Sequence, residues 1–454
     1  MSDKPQFASK IGLIAATVGS AVGLGNVWRF PAEAQANGGA AFLILYILCV
    51  LLLGVPVMVS EFALGRAGRS DAVGSFMNLK ARKGWWAVGG LAILASYMIL
   101  WFYMVVAGWT FEYLWQSITG ALYAPITNDS GNLSARFTQH MKEFITEGWN
   151  PLINTYIVIV INIAVLIAGV QKGIERLSNV LMPLLFIILV IFCCVSQSLP
   201  GAPEGLEFFL KPDFSKITPG VVLNALGQAF FSLSLGMGIL VTYASYFPKD
   251  TRLARTAITV SLLDLLVAIM MGLIIFPTVT TFHLEGEGMK GATLVFITLP
   301  EVFAHMGWTQ FWSSLFFLLL TVAAITSTIS IAEVTVAFLQ DRLKTSRLKA
   351  VLITLLPLFV LSTICSLSQG PWEHIKLFGL NIFDFLDNLA TNIFLPIVAL
   401  LTCIYLGWFA PTNLLKNQIT NDGKITTRLY APIMFILKYI APVLITLVLL
   451  PALF

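Results

Sequence analysis

Charged residues are scarce in this chain. Only 11% of its 454 residues are Asp, Glu, Lys or Arg, whereas 57% are hydrophobic, and the mean hydropathy is +0.86. Soluble domains carry about 25% charged residues, so this composition excludes a soluble globular protein and predicts a polytopic membrane protein. The formal net charge of +4 is spread over the connections between apolar runs, which argues against nucleic acid as a partner.

Patterns for metal binding and catalysis are also lacking. The five cysteines all lie in apolar runs without metal-ligand spacing, and the four histidines are not paired. Cysteines in such surroundings usually behave as small buried hydrophobic residues. The sequence contains neither a nucleotide-binding loop nor a catalytic triad. It therefore predicts a protein that is not an enzyme.

Apolar runs long enough to cross a bilayer dominate the chain. The predicted fold class is an all-α polytopic membrane protein with eleven transmembrane helices, numbered here as spans 1 to 11. They lie near residues 11–33, 40–64, 86–118, 150–170, 176–198, 218–247, 253–281, 310–341, 348–368, 381–408 and 430–453. Spans 4 and 5 are divided around Lys172–Arg176.

The distribution of Lys and Arg predicts the orientation. With the N-terminus in the cytoplasm, the inside connections hold 19 of these residues and the outside connections hold 6. Cytoplasmic loops of membrane proteins carry such an excess. We therefore expect a multi-pass protein of the cell (inner) membrane with a cytoplasmic N-terminus. Its C-terminus is expected outside, because eleven is an odd number.

Two of the spans are interrupted by glycines. Gly23 and Gly25 fall inside span 1, and Gly236 and Gly238 fall inside span 6. Each glycine weakens a helix by roughly 1 kcal/mol relative to Ala. Unwound backbone at membrane depth is tolerated only where it is buried in protein or lines a cavity. The interruptions therefore indicate a place where backbone groups bind something polar.

The interrupted spans are the first members of two five-span halves. Paired glycine interruptions at matching positions in two halves indicate an inverted-repeat transporter with a binding site near the bilayer midplane. The predicted repeats cover about 11–198 and 218–408, and an extra helix covers about 430–453. The whole chain, 1–454, is expected to form a single transmembrane transporter domain.

Several motifs, in order along the chain, carry a family resemblance. They are GSAVGLGNVWRFP at 19–31, GVPVMVSEFALGR at 54–66, QAFFSLSLGMG at 228–238, YASY at 243–246 and AAITSTISI at 323–331. They resemble motifs of the neurotransmitter:sodium symporters, which have the leucine-transporter fold, and the chain is most similar to the bacterial eleven-helix, tryptophan-type transporters of multiple hydrophobic amino acids. The resemblance implies sodium-coupled symport of hydrophobic L-amino acids, aliphatic to aromatic, by alternating access.

The resemblance also implies two sodium sites. Sodium is a hard cation that prefers several oxygen ligands. The first site is expected to use the carbonyl of Ala21, the side chains of Asn26, Ser232 and Asp264, and the substrate carboxylate; the second, the carbonyls of Gly19, Val22 and Ala323 and the hydroxyls of Thr326 and Ser327. Hydroxyls in membrane helices also commonly bond back to their own helix, which is the structural alternative for the last two.

Asp264 departs from the asparagine that is commonest in the family at this position. Chloride-dependent relatives place an anion beside this sodium and use a serine four residues further along, where this chain has Ala268. A carboxylate supplies the negative charge covalently, so we expect transport without chloride. Ionisable groups inside membranes indicate function by default, and a protonated Asp264 in a structural hydrogen bond is the alternative.

The substrate is expected between the two breaks. The N-terminal ends of half-helices suit a carboxylate, and relatives that carry monoamines have an aspartate in place of Gly23, so its absence favours an amino acid. The expected substrate contacts are Ala21, Gly23, Leu24, Gly25, Ile99, Tyr103, Phe231, Ser232, Ser234, Met237, Ser327 and Ile331. Their side chains are mainly apolar, so the substrate side chain should be apolar too.

Gates are expected at both mouths of the transport path. The gate residues implied by the resemblance are Arg29 and Asp387 outside, and Lys4, Asp341 and Tyr246 inside. Exposed ion pairs are worth only about 0–1 kcal/mol, which suits contacts that break in every cycle.

Span 5 carries two helix-breaking residues near its cytoplasmic end, Gly173 and Pro183. We expect them to let this end unwind and admit water to the second sodium site. A plain helix start with a tolerated proline kink is the structural alternative.

The expected partners are a hydrophobic L-amino acid, sodium ions and the lipid bilayer, with a monomer sufficient for transport. Two alternative functions stay open. One is a proton-coupled amino acid carrier of the same fold, with Asp264 as the proton site. The other is an amino acid sensor that binds without transporting. Dependence of binding on sodium distinguishes the leading prediction from both.

Overall fold

Long apolar helices make up most of the protein. The computed structural model describes residues 5–79, 84–124, 133–282 and 294–453. Nine of the described helices are long and apolar enough to cross a membrane, and they correspond to spans 2 to 5 and 7 to 11. They are Ala40–Gly68, Trp86–Thr119, Trp149–Ile167, Val170–Ser196, Leu253–Thr281, Thr309–Leu343, Arg347–Leu367, Ile382–Phe409 and Tyr430–Pro451.

The other two spans are broken. Span 1 consists of Lys10–Ala21 and Gly25–Ala36, whose axes differ by 53°. Span 6 consists of Pro219–Ser232 and Ile239–Ser245. Both breaks lie at the glycines from which they were predicted. With span 1 counted once, ten spans of the described chain are long and apolar enough to cross a membrane. Together with span 6, whose second half is short, the arrangement is consistent with the predicted eleven, and the inverted relation of the two five-span halves stays a prediction.

Short elements connect the spans. The connecting helices are Ala72–Asn78, Leu133–Thr146, Ala202–Leu210, Leu299–His305 and Leu414–Thr420, with a 3-10 turn at Phe214–Lys216. Strands β1 (Lys376–Leu377) and β2 (Leu380–Asn381) form a small antiparallel hairpin before span 10.

The division between spans 4 and 5 differs from the expected one. Span 4 ends at Ile167, and Gly169 turns the chain with a φ of +87°. This left-handed region costs glycine little, because glycine has no Cβ. A π-helical turn at Val170–Glu175 then continues directly into the rest of span 5. Lys172–Arg176 therefore lies within span 5 and does not separate it from span 4.

Spans 3 and 8 form the centre of the bundle. In the most apolar part of span 8, 83% of the residues are buried, and in span 3 the share is 67%. The corresponding shares for spans 5 and 11 are 33% and 28%. Val180, Ile187 and Val443 on these two outer spans are each more than half exposed. Such side chains fit a surface covered by lipid.

The break in span 1 leaves backbone amides that side chains satisfy. The helix ends because Val22 adopts an extended ψ of 106°. The amide of Gly23 then donates to Asn26 Oδ1 at 3.2 Å, and the amide of Leu24 donates to the Tyr103 hydroxyl at 3.1 Å. Backbone groups at membrane depth require such partners.

The break in span 6 depends on close approach of another span. Ser234, Gly236 and Gly238 have φ angles of +55°, +78° and +74°. A Cβ on Gly236 would lie 2.3 Å from the carbonyl oxygen of Leu395 in span 10. The amide of Gly236 donates to Glu61 Oε1 of span 2 at 2.7 Å. Only glycine fits this position, and a buried carboxylate stabilises its backbone.

Glu175 joins the start of span 1 to the start of span 5. Its carboxylate accepts hydrogen bonds from the amides of Ala8 and Ser9 at 2.8 and 3.0 Å and from the Ser9 hydroxyl at 2.8 Å. Ser9 also caps span 1 by accepting from the amide of Gly12 at 2.9 Å. Free amides at a helix N-terminus favour such acceptors. A side chain of span 5 therefore stabilises the start of span 1.

Substituting Gly65 should destabilise the packing of span 2 against span 6. A Cβ on Gly65 would lie 2.0 Å from the backbone oxygen of Val241, and such overpacking costs typically 1–3 kcal/mol. We expect Gly65→Ala to unfold at a lower temperature than the parent protein, measured by thermal challenge and size-exclusion chromatography. Gly90→Ala in span 3 is the matched control, because no atom lies within 4 Å of its added Cβ. Equal melting of the two variants would contradict the prediction.

Candidate functional site

A small cavity of about 20 Å³ lies between the two breaks. It is lined by Ser20, Ala21, Gly23, Gly25, Ile99, Tyr103, Phe231, Ser232, Ser234, Met237, Ser327 and Ile331. The structure therefore brings together all the predicted substrate contacts except Leu24, whose amide faces the Tyr103 hydroxyl. Ser20 was not predicted.

Side chains hold the two breaks against each other. The Ser234 hydroxyl of span 6 donates to the carbonyl oxygen of Ser20 in span 1 at 2.8 Å. Gln228 Nε2 donates to the carbonyl oxygen of Gly25 at 3.0 Å. Each bond joins a backbone oxygen of span 1 to a donor from span 6. The breaks thus form one polar centre inside an apolar bundle.

Two glycines of span 1 leave room in this cavity. A Cβ on Gly23 would lie 2.6 Å from Ser327 Oγ and 2.9 Å from the Tyr103 hydroxyl. A Cβ on Gly25 would lie 2.8 Å from the ring of Phe231. Any larger residue at these positions would displace a neighbour. The space beside span 1 is therefore bounded by hydroxyl groups on one side and by an aromatic ring on the other.

The predicted first sodium ligands form a closed polar cluster. Asp264 Oδ2 accepts from the Ser232 hydroxyl at 2.7 Å, and its Oδ1 accepts from Asn26 Nδ2 at 2.8 Å. All three side chains are at most 1% exposed. A buried carboxylate is tolerated only with such partners. Ala21 lines the adjoining cavity.

Tyr46 of span 2, for which the sequence predicts no role, completes this cluster. Its hydroxyl lies 3.2 Å from Asp264 Oδ2 and 3.0 Å from Ser232 Oγ. The side chain is fully buried. Three side chains therefore surround the carboxylate, from spans 1, 2 and 6. A single tyrosine in the apolar run of span 2 gave no signal of this contact.

The residues predicted for the second sodium site lie where span 1 faces span 8. A Cβ on Gly19 would lie 3.4 Å from Thr326 Cβ. The Thr326 hydroxyl bonds back to its own helix, at 3.0 Å from the Val322 oxygen and 3.1 Å from that of Ala323. Ser327 Oγ is buried and has no hydrogen-bond partner. This hydroxyl is thus available to a ligand of the cavity.

The predicted sodium sites differ from metal sites that are built from clustered His, Cys, Asp or Glu side chains. Within the part of the chain that the structure describes, no group of three or more His, Cys, Asp or Glu side chains is placed to hold a metal ion. A sodium ion held by carbonyl and hydroxyl oxygens does not need such a group.

Arg29, one of the two residues predicted for the outer gate, lines a cavity of about 500 Å³, and the other, Asp387, precedes the lining residue Asn388. The Arg29 guanidinium stands over the ring of Phe231, 4.6 Å from its centroid, and this ring separates the outer cavity from the small one, since it lines both. Arg29 and Asp387 form no ion pair within 4 Å in this structure, but they are near enough to interact electrostatically.

The inner gate residues contact the N-terminal segment and the connection after span 2. Phe7 donates its amide to the carbonyl oxygen of Tyr246 at 3.2 Å and packs edge-on against that ring. Asp341 Oδ2 accepts from the amide of Asp71 at 2.7 Å and from the Ser70 hydroxyl. Lys4, the predicted partner of Asp341, lies outside the described residues.

A buried clamp closes the same end of the protein, and no role was predicted for its acid, Glu333. Arg347 makes a bidentate contact with Glu333 at 2.8 and 2.7 Å. The Tyr246 hydroxyl donates to the same carboxylate at 2.8 Å. Bidentate Arg–carboxylate pairs fix geometry as well as charge. Spans 6, 8 and 9 therefore meet at one carboxylate.

Asp71 forms a second charged contact near this clamp, at the start of the helix that follows span 2. Its Oδ2 lies 3.4 Å from Arg342 Nε, and its Oδ1 accepts from the amides of Val73 and Gly74. Burial raises the pKa of the Asp71 carboxyl, because water that would solvate the charge is excluded.

Span 5 contains both predicted helix breakers in helical conformation. Gly173 lies in the π-helical turn, where a Cβ would approach the carbonyl oxygen of Val165 to 2.1 Å. Pro183 lies inside the α-helical part of the span. The proline removes one backbone hydrogen bond from that helix. The N-terminal end of span 5 is therefore helical but weakened.

Two further charges inside spans have structural partners. Glu112 accepts from Gln116 and Asn154, each at 2.7 Å. The Lys438 ammonium of span 11 lies 5.4 Å from the centre of the Trp408 ring of span 10. Neither group lines the cavity between the breaks.

Known proteins are similar to this chain over nearly its whole length. The model of the sodium:neurotransmitter symporter family matches residues 4–131 and 126–454. Two uncharacterised sodium-dependent transporters, from Bacillus subtilis and Haemophilus influenzae, are each 34% identical to this chain. These matches cover 98% and 99% of this chain and 96% and 98% of the relatives.

An animal transporter and a solved structure extend the comparison. The sodium-dependent serotonin transporter of Drosophila melanogaster is 28% identical over 91% of this chain and 71% of its own. The crystal structure of MhsT in complex with L-phenylalanine has a TM-score of 0.89 and 39% identity, covering 99% of this chain and all of that one. The broken spans, the polar centre between them and these matches show that the protein belongs to the sodium:neurotransmitter symporter family and has the leucine-transporter fold.

Proposed function

We propose that this protein carries a hydrophobic L-amino acid across the cell membrane together with sodium and without chloride. The observation that supports the proposal most strongly is the polar centre between the two breaks. It places the Asn26–Ser232–Asp264 cluster beside a cavity that is lined by both hydroxyl groups and apolar side chains. A sodium ion in that cluster would lie next to the carboxylate of a bound amino acid.

The residues that line the cavity support an amino acid as the substrate. The space beside Gly23 adjoins the hydroxyls of Tyr103 and Ser327, which suit a carboxylate. Ile99, Met237 and other apolar side chains line the remaining wall. The neighbouring structure that contains L-phenylalanine is consistent with this substrate class. Methionine is flexible and polarisable, so its contact with the substrate suits side chains of different size.

Asp264 supports independence from chloride. Its carboxylate accepts from Asn26, Ser232 and Tyr46, and these hydrogen bonds stabilise its charged form against the cost of burial. The negative charge is thus part of the protein. Ala268, one turn further along span 7, has no hydroxyl to offer an anion.

Alternating access would use the two mouths in turn. Arg29, Asp387 and Phe231 would close the outer side, and Tyr246 and Asp341, with Lys4, would close the inner side. We propose that the N-terminus is cytoplasmic and the C-terminus is outside, in agreement with the positive loops. A single chain encloses the cavity, so a monomer suffices for transport.

The direct test is uptake by the protein reconstituted into liposomes. We expect an inward sodium gradient to drive uptake of leucine, phenylalanine and tryptophan, and potassium in place of sodium to abolish it. Gly25→Ala should weaken substrate binding at least tenfold, because its Cβ would meet Phe231, whereas Gly90→Ala should have no effect. Uptake driven by a proton gradient alone would favour a proton-coupled carrier, and sodium-independent binding without uptake would favour a sensor.

Removal of the charge at Asp264 should weaken sodium binding. We expect the parent protein to transport equally in chloride and in gluconate. Asp264→Asn keeps the size of the side chain but removes its charge, and it should lower the apparent sodium affinity at least tenfold in a sodium titration of substrate binding. Asp213→Asn, at an exposed position, is the control. Loss of uptake by the parent protein in gluconate would refute chloride independence.

Substitution of Pro183 should slow transport while leaving substrate affinity nearly unchanged. Restoring the missing backbone hydrogen bond stabilises span 5, so Pro183→Ala should slow uptake severalfold while substrate affinity changes less than twofold. Val180→Ala, at a lipid-exposed position of the same span, is the control. An unchanged turnover number for Pro183→Ala would argue against a gating role.

A further inference from the structure

A large cavity opens at one end of the bundle, where spans 1 and 7 begin. Its volume is about 540 Å³, and it shares no lining residue with the substrate cavity. The lining residues are Lys10, Leu13, Ile14, Asp250, Thr251, Arg252, Arg255, Thr256 and Thr259. The set combines charged side chains and hydroxyl groups with the apolar side chains of Leu13 and Ile14. The transport function assigns nothing to this cavity.

Positive charge dominates the cavity. It has three cations, Lys10, Arg252 and Arg255, and one carboxylate, Asp250, so the lining has a net charge of 3 − 1 = +2. Lys10 Nζ lies 3.5 Å from Asp250 Oδ2, and both side chains are well exposed. Arg252 and Arg255 are also exposed. Guanidinium groups bind phosphate through paired hydrogen bonds, so the cavity suits a phosphate-bearing anion.

The rim of the cavity is fixed by other parts of the protein. Arg66, which is 5% exposed, donates from Nη1 to the carbonyl oxygen of Thr251 at 2.5 Å. Asn421 Nδ2 donates to the carbonyl oxygen of Asp250 at 3.1 Å. The loop between spans 6 and 7 is thus held by span 2 and by the connection after span 10. Arg252 therefore lies on a loop whose backbone is held at two carbonyl oxygens.

An apolar stripe continues from the cavity along span 7. Arg255, Thr259, Leu262 and Leu266 are spaced four, three and four residues apart, so they lie on one face of the helix. Leu262 is 50% exposed and Leu266 is 43% exposed. The stripe points from the end of the span towards the middle of the membrane. A ligand that is charged at one end and apolar along its length matches this face.

We propose that this cavity binds the headgroup of an anionic phospholipid. Arg252 and Arg255 contact its phosphate, the hydroxyls of Thr256 and Thr259 face its glycerol, and an acyl chain lies along Leu262. Basic pockets between membrane helices bind lipid headgroups by the same chemistry. The stripe favours a lipid over a soluble phosphate, which would leave it unused. The bound lipid bridges spans 1 and 7.

The test is lipid binding to the purified full-length protein in detergent, followed by native mass spectrometry. Phosphatidylglycerol is the anionic probe, and phosphatidylcholine is the neutral one. Each cation near an anionic lipid contributes roughly 1 kcal/mol, so R252E/R255E should weaken phosphatidylglycerol binding at least tenfold. R252K/R255K should retain binding within threefold. K416E/K424E, with the same change of charge at exposed positions outside the cavity, should also remain within threefold.

Three outcomes would overturn the proposal. They are equal binding of the two lipids by the parent protein, an equal loss of binding in K416E/K424E, and displacement of phosphatidylglycerol by millimolar inorganic phosphate, which would indicate a site for the free anion. Thermal unfolding and size-exclusion profiles check that each variant is folded. If R252E/R255E does not fold, Arg255→Gln replaces it, with an expected three- to tenfold loss, and unchanged binding by this variant contradicts the site.

Discussion

Backbone polar groups inside a bilayer need partners, and this requirement organises the centre of the protein. Unwinding spans 1 and 6 frees amides and carbonyls that would each cost several kcal/mol in hydrocarbon. Glu61, Tyr103 and Ser234 satisfy three of these groups. The partners come from spans 2, 3 and 6, so both breaks must lie in the middle of the bundle. The polar cavity follows from that placement.

Buried carboxylates need hydrogen-bond partners for the same reason. Asp264, Glu333 and Glu175 each accept several hydrogen bonds from other spans. A buried charge without partners is costly, whereas a paired one specifies the geometry of the groups around it. Each carboxylate therefore fixes a junction of helices. The junction at Asp264 lies beside the substrate cavity, and the other two close the end of the bundle where span 1 begins.

Much of the fold could be predicted because apolar length and glycine position are local signals. The start and end of span 7, 253–281, agree with the structure, and both broken spans break at their glycines. The residues that the resemblance indicated, with Leu24 as the exception, line one cavity between the breaks, and their contact with a substrate stays a prediction. The boundary between spans 4 and 5 was wrong, because charges at 172–176 suggested a loop, whereas Gly169 makes the turn in a single residue.

The sequence by itself determined that the chain crosses a membrane, where its helices lie and which two of them break, because helix length, hydrophobicity and glycine content act within one segment. Tertiary structure alone decided which side chains satisfy the breaks and the buried charges. Tyr46 reaches Asp264 across 218 residues, and Arg66 holds the Thr251 backbone across 185. Contacts at such separations depend on how the helices pack, and no local pattern in the sequence encodes them.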